Sequence, residues 1–83
     1  MDNLVSILLQ RNDSKMEWGF NLGMFENQMI IDTVKRGTIS SYYISPGDAV
    51  LQIAGRSTKA MTVEKARHLV TQSGNAVEII IRK

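Results

Sequence analysis

With 83 residues, 43% of them apolar and none of them cysteine, the chain has room for one domain held together by buried apolar surface, without a disulfide frame or a thiolate zinc site. Ten basic residues against eight acidic ones give a net charge of +2. The basic residues are scattered from Arg11 to Lys83 rather than gathered in a stripe interleaved with aromatics, so the composition argues against a nucleic-acid binder. No apolar run approaches the roughly 20 residues that a membrane span needs, and residues 1–9 lack the basic start of a secretory leader. A cytoplasmic domain with no direct membrane insertion is therefore expected.

Taken in order, the apolar and partly β-branched run over residues 4–9 (LVSILL), closed by Asn12, Asp13 and Ser14, predicts a first strand. A loop then leads to Trp18 and Gly19. From Phe20 onward, Phe20, Leu22 and Met24 alternate with Asn21, Gly23 and Phe25, which predicts a second strand with one apolar face. Residues 29–34 (MIIDTV) predict a third, ended by Lys35, Arg36 and Gly37. Residues 38–43 fit a single short helical turn before Ser45-Pro46-Gly47-Asp48, a strong turn signal. Tyr42 and Tyr43 are expected to pack over the end of the sheet, with a second contact site or self-association as the other reading.

A fourth strand is expected over residues 49–53, a turn at Ala54-Gly55, and at most a short fifth strand over residues 56–59. One segment is plainly helical. Thr62 is a good N-cap, Glu64 places a negative charge in the first turn where the helix dipole favours it, and Ser73-Gly74 supplies the stop, so the helix spans about 63–72. Residues 76–81 (AVEIII) close the chain as a last strand. On the helix, Ala66 and Leu69 share one line while Val63, Arg67 and Val70 follow i, i+4, i+7 on the adjacent line. Either both lines face the core, or the second lines a groove. Arg67 favours the groove, because on a core-facing line it would need a buried partner.

Catalysis finds little support. There is no cysteine, the lone His68 has no serine or aspartate at a recognisable motif spacing, and no glycine-rich phosphate loop is present. Binding is the expected activity.

Three stretches, WGF at 18–20, SPGDAVLQIAG at 45–55 and MTVEKARHLV at 61–70, come in an order and spacing that resembles a PDZ domain over essentially the whole chain. The resemblance implies a mainly β (α+β) fold, a partly open antiparallel β-barrel of five to six strands with two helices. It implies a single domain over residues 1–83, excised from a larger scaffold protein, mostly monomeric, and neither an enzyme nor dependent on a cofactor or metal. The implied activity is binding the C-terminal carboxylate and last few residues of partner proteins, which add a strand between the second strand and the longer helix. The implied partners are C-terminal tails of membrane receptors, channels or cytoskeletal proteins, met at the membrane cortex, cell junctions or cytoskeleton.

Carried onto this sequence, the resemblance assigns the carboxylate to the backbone amides of Trp18, Gly19 and Phe20, with Gly19 permitting the tight turn and close approach of an anion-binding nest. A basic side chain near the end of the first strand assists, and Arg11 matches that place best, with Lys15 as the competitor. The walls of the pocket for the ligand's last side chain are Trp18, Phe20 and Leu22 with Val70 opposite, and Asn21 belongs to the same groove; ordinary core packing is the competing role for Leu22 and Val70. Val63 stands where many PDZ domains carry histidine, which implies an apolar preference two residues before the ligand's C-terminus, the pattern called class II. Arg67 either contacts an acidic ligand side chain, partly blocks the pocket or pairs with Glu64, and His68 points away from the groove. WGF and GRSTKAMT at 55–62 look most like the N-terminal PDZ domains of the Enigma and actinin-associated LIM group. The alternative is a PDZ fold with an internal motif, its own copy or a lipid head group as ligand.

Overall fold

Tight turns at positive φ set the hairpins. Glu26 and Asn27, at φ 49° and 65°, join β2 (Phe20–Phe25) to β3 (Gln28–Val34). Two consecutive central residues of this kind match the right-handed twist of the flanking strands. Ala54 and Gly55, at φ 51° and 79°, do the same between β4 (Ala49–Ile53) and the two-residue β5 (Arg56–Ser57). The turn at Ser45 carries its proline where φ is already set and its glycine where φ must be positive. The Asp48 N–H donates to the Ser45 carbonyl at 3.1 Å, and the Asp48 carboxylate accepts from the Ser45 N–H at 2.9 Å and pairs with Lys83 at 3.0 Å.

The structure, a computed structural model, describes residues 3–83; Met1 and Asp2, included in the expected domain, lie outside the described residues. β1 (Leu4–Gln10) and β6 (Ala76–Arg82) pair along their full lengths. The sheet runs β1-β6-β4-β3-β2, with β5 attached to β4, and its described pairings are antiparallel. The six strands stand as expected. The sheet is open rather than closed into a barrel, because β1 and β2 at its two ends do not pair. Of the two implied helices, one is the α-helix α1 (Val63–Gln72) and the other is only a 3₁₀ turn at Ile39–Tyr42.

The core lies between the sheet and α1. Leu9, Ile31, Val50, Ile53, Ala66 and Ile81 are fully buried in it, and Val77 and Ile79 nearly so. The period-2 burial of β6 supplies three of these side chains. Tyr42 and Tyr43 do not pack over the sheet end as expected; they are 80% and 52% exposed, because the 3₁₀ turn buries Ser40 instead. None of the helices described is long and apolar enough to cross a membrane.

At the start of α1 the Thr62 side chain accepts the Lys65 N–H at 3.1 Å, satisfying one of the donors that a helix start leaves without a partner. Thr62→Ala is expected to lower stability by about 1 kcal/mol, read as a shift of the urea-unfolding midpoint at constant slope. An unchanged midpoint would show that the cap adds nothing here.

Candidate functional site

β2 is an edge strand, hydrogen-bonded on one side to β3 alone. Its register skips one residue of β3 between Asn21 and Leu22, a bulge that sharpens the local twist. Residues 18–20 lead into this strand, and two of their peptide units are held from behind. The hydroxyl of Ser40, itself fully buried, donates to the Trp18 carbonyl at 2.5 Å. The Lys35 N–H donates to the Gly19 carbonyl at 2.7 Å.

The peptide bonds described are all trans, and in a trans unit the C=O and the N–H point in opposite directions. With the Trp18 carbonyl turned to Ser40, the Gly19 N–H points away from it. With the Gly19 carbonyl turned to β3, the Phe20 N–H faces the open side of β2. The N–H groups of Trp18 and Gly19 have no acceptor among the described residues. Gly19 adopts φ +85°, and a Cβ there would lie 2.1 Å from Thr38 Oγ1, so no side chain fits.

Alongside β2, Phe20, Asn21 and Leu22 face Arg67, Val70 and Thr71 of α1 across a groove of about 210 Å³, room for several waters at about 30 Å³ each and so for a side chain. Phe20 and Val70 are half-buried and pack on the core from the groove side, while Leu22 is buried; Leu22 and Val70 thus pack on the core and also border the groove. Neither helix reading holds whole: Ala66 is fully buried and Arg67 and Val70 border the groove, but Val63, Leu69 and Val70 all pack against the core. Arg67 is exposed and forms no ion pair with Glu64 among the described residues. His68 is exposed. Val63 is half-buried against the core one turn before Arg67 and outside this stretch of groove. Thr71, which the sequence does not single out, lines the groove as the residue beside Val70.

Trp18 and Arg11 sit differently from the expectation. The Trp18 ring is buried in the core, so it supports the loop from beneath. The Arg11 guanidinium lies 4.4 Å from its centroid, a cation–π contact. It donates to the Met16 carbonyl at 2.7 Å and the Gly74 carbonyl at 2.9 Å. Arg11 therefore braces the loop against the segment that ends α1, each of its two terminal nitrogens donating one hydrogen bond to a backbone carbonyl. A second hollow shares Phe20 and Asn21 with the groove and is also bordered by Glu17, Trp18, Gly19, Thr33 and Lys35. It holds the exposed Lys35–Glu17 ion pair and the Asn21–Thr33 hydrogen bond at 3.0 Å.

Solved structures show the same fold at low identity. The chain superposes on the PDZ domain from human FERM and PDZ domain containing 1 with a TM-score of 0.82 at 15% identity, covering 99% of this chain and 84% of that one. It superposes on the PDZ domain from choanoflagellate SHANK1, solved bound to a GIRK3 peptide, with a TM-score of 0.83 at 20% identity, covering 100% of this chain and 94% of that one. No curated protein matches the sequence significantly. The family model for the PDZ domain matches residues 6–82, which span the loop, the edge strand, the groove and the sheet. The chain belongs to the PDZ family, whose domains are peptide-binding modules of protein–protein interaction and not enzymes.

Proposed function

We propose that this domain binds the free C-terminal end of partner proteins, with the terminal carboxylate on the amides of Trp18, Gly19 and Phe20 and the preceding residues added as a strand to the open edge of β2. The observation that carries this reading is the pair of tethered carbonyls, Trp18 to Ser40 and Gly19 to Lys35, which leaves consecutive N–H groups turned outward at one end of the groove. Such a nest suits an anion, and an edge strand suits an extended peptide. The peptide in the SHANK1 structure is consistent with this use of the fold.

The ligand's last side chain enters between Phe20, Leu22 and Val70, where burial of one aliphatic group contributes about 1.5–3 kcal/mol. Together with the carboxylate contacts and against the cost of ordering a flexible tail, this gives micromolar affinity, about 8 kcal/mol. Arg11 acts through the loop it braces, adding positive charge behind Trp18. Val63 and Val70 are about 10 Å apart along the helix axis. Two residues of extended peptide span about 7 Å, so the side chain two before the ligand's end meets the first turn of α1. Val63 offers it no polar partner, which favours an apolar residue there. Arg67, between them and exposed, reaches an acidic ligand side chain with its stem along the groove wall. Asn21 borders the strand the ligand joins.

The tails of receptors, channels or cytoskeletal proteins in a cytoplasmic setting fit this reading, as does the absence of cysteine. Kinship with the Enigma and actinin-associated LIM group is supported by WGF and GRSTKAMT and opposed by Val63.

Three measurements test the site. A peptide ending in a free carboxylate is expected to bind at least about tenfold more tightly than its amide in a fluorescence titration, since each charge-assisted hydrogen bond contributes about 1.5–3 kcal/mol; equal binding rejects carboxylate capture. Gly19→Ala is expected to abolish binding and lower stability, because its Cβ meets Thr38 and its φ disfavours a side chain. Retention of wild-type affinity by that variant would exclude the nest. Val63→His is expected to raise the relative affinity for Ser or Thr two before the ligand's end by about two- to tenfold, the worth of one net hydrogen bond. A peptide array already favouring Ser or Thr in the unmodified chain would rule out the class II preference.

A further inference from the structure

Glycine at position 19 gives the nest its shape but cannot hold it. A residue free to adopt positive φ is also free to leave it, so the direction of the Gly19 N–H must be fixed from elsewhere. Its peptide unit is shared with the Trp18 carbonyl, and that carbonyl is gripped by the Ser40 hydroxyl. The hydroxyl is itself immobile. Ser40 is fully buried, and its own carbonyl accepts the N–H groups of Tyr43 at 3.1 Å and Ile44 at 3.0 Å, pinning it within the 3₁₀ turn.

The neighbouring peptide unit is held in parallel by the Lys35 N–H. Thr38 closes the space against the Gly19 Cα, and its hydroxyl donates to the Lys35 carbonyl at 2.7 Å. Residues 35–40 thus form a backing to the loop, and within it Ser40 supplies the side-chain donor that grips a loop carbonyl. A buried hydroxyl without a partner is costly, so the pairing is strongly favoured, and a donor fixed on one face of a planar unit fixes the N–H on the other.

We propose that Ser40 is a positioning residue for ligand binding: by holding the Trp18 carbonyl it aims the Gly19 N–H at the terminal carboxylate, without touching the ligand. This rests on the carboxylate capture proposed above. It predicts that losing the hydroxyl weakens the carboxylate part of the affinity and leaves the side-chain and strand contributions in place.

The test measures binding of a fluorescein-labelled apolar hexapeptide ending in valine, as the free acid and as the C-terminal amide, to the unmodified chain, to Ser40→Ala and to Ser40→Cys. Ser40→Ala is expected to bind the acid about tenfold more weakly with little change for the amide, so the acid-to-amide ratio contracts about tenfold; Ser40→Cys, a weaker donor, falls between. If Ser40→Ala unfolds, Ser40→Cys decides alone: a contracted ratio supports the role and an unchanged ratio overturns it. A folded Ser40→Ala that keeps the wild-type ratio overturns it whatever its loss of stability. An unmodified chain that binds both peptides equally rejects carboxylate capture and, with it, the role of Ser40.

Discussion

A strand can accept a foreign backbone only while its own sheet leaves one side vacant, and the order β1-β6-β4-β3-β2 leaves β2 in that position. The order follows from where the last strand goes. β6 inserts between β1 and β4 and brings Val77, Ile79 and Ile81 into the core, so β6 and β4 lie inside the sheet and β1 forms one margin. β2 is left as the opposite margin. An open edge invites unwanted pairing; here the bulge opposite Asn21 and Leu22 twists it, and α1 stands beside it, narrowing access to a groove that an extended chain can enter lengthwise.

Under the proposed function, structure and binding are divided at the head of that groove across single peptide planes. The carbonyls of Trp18 and Gly19 serve the fold, and the N–H groups on the other side of the same planes are left over. Trp18 repeats the division at the scale of a residue, its ring in the core and its backbone in the loop. Arg11 joins these parts, covering the Trp18 ring while tying Met16 to Gly74, so one side chain links the loop to the turn that ends α1.

The sequence was most informative where local chemistry alone decides. The helix from Thr62 to the Ser73 stop and the strand Ala49–Ile53 stand at the expected residues, because caps, dipole charge and turn residues are written locally. The β2–β3 turn carries little local signal, since Glu26-Asn27 lacks the glycine that usually marks such hairpins. Three features depended on distant partners and had no local signal. Ser40 looks like a surface serine until the 3₁₀ turn places it beneath Trp18. Arg11 has the charge expected of an anion contact, yet Gly74, far along the chain, claims it. Trp18 belongs to a motif that suggests a pocket wall, and its ring volume is used by the core. Tyr42 and Tyr43 show the converse, apolar residues that tertiary packing leaves outside.

The anchored loop also bears on time. A nest already aimed before its ligand arrives asks for no rearrangement of the domain, so under the proposed function encounter is limited by docking the tail and by the tail's own ordering. Association rates among related ligands then vary little, and their differences in affinity are expressed as residence times. A fully buried hydroxyl thereby helps to decide not how often a partner is found, but how long it stays.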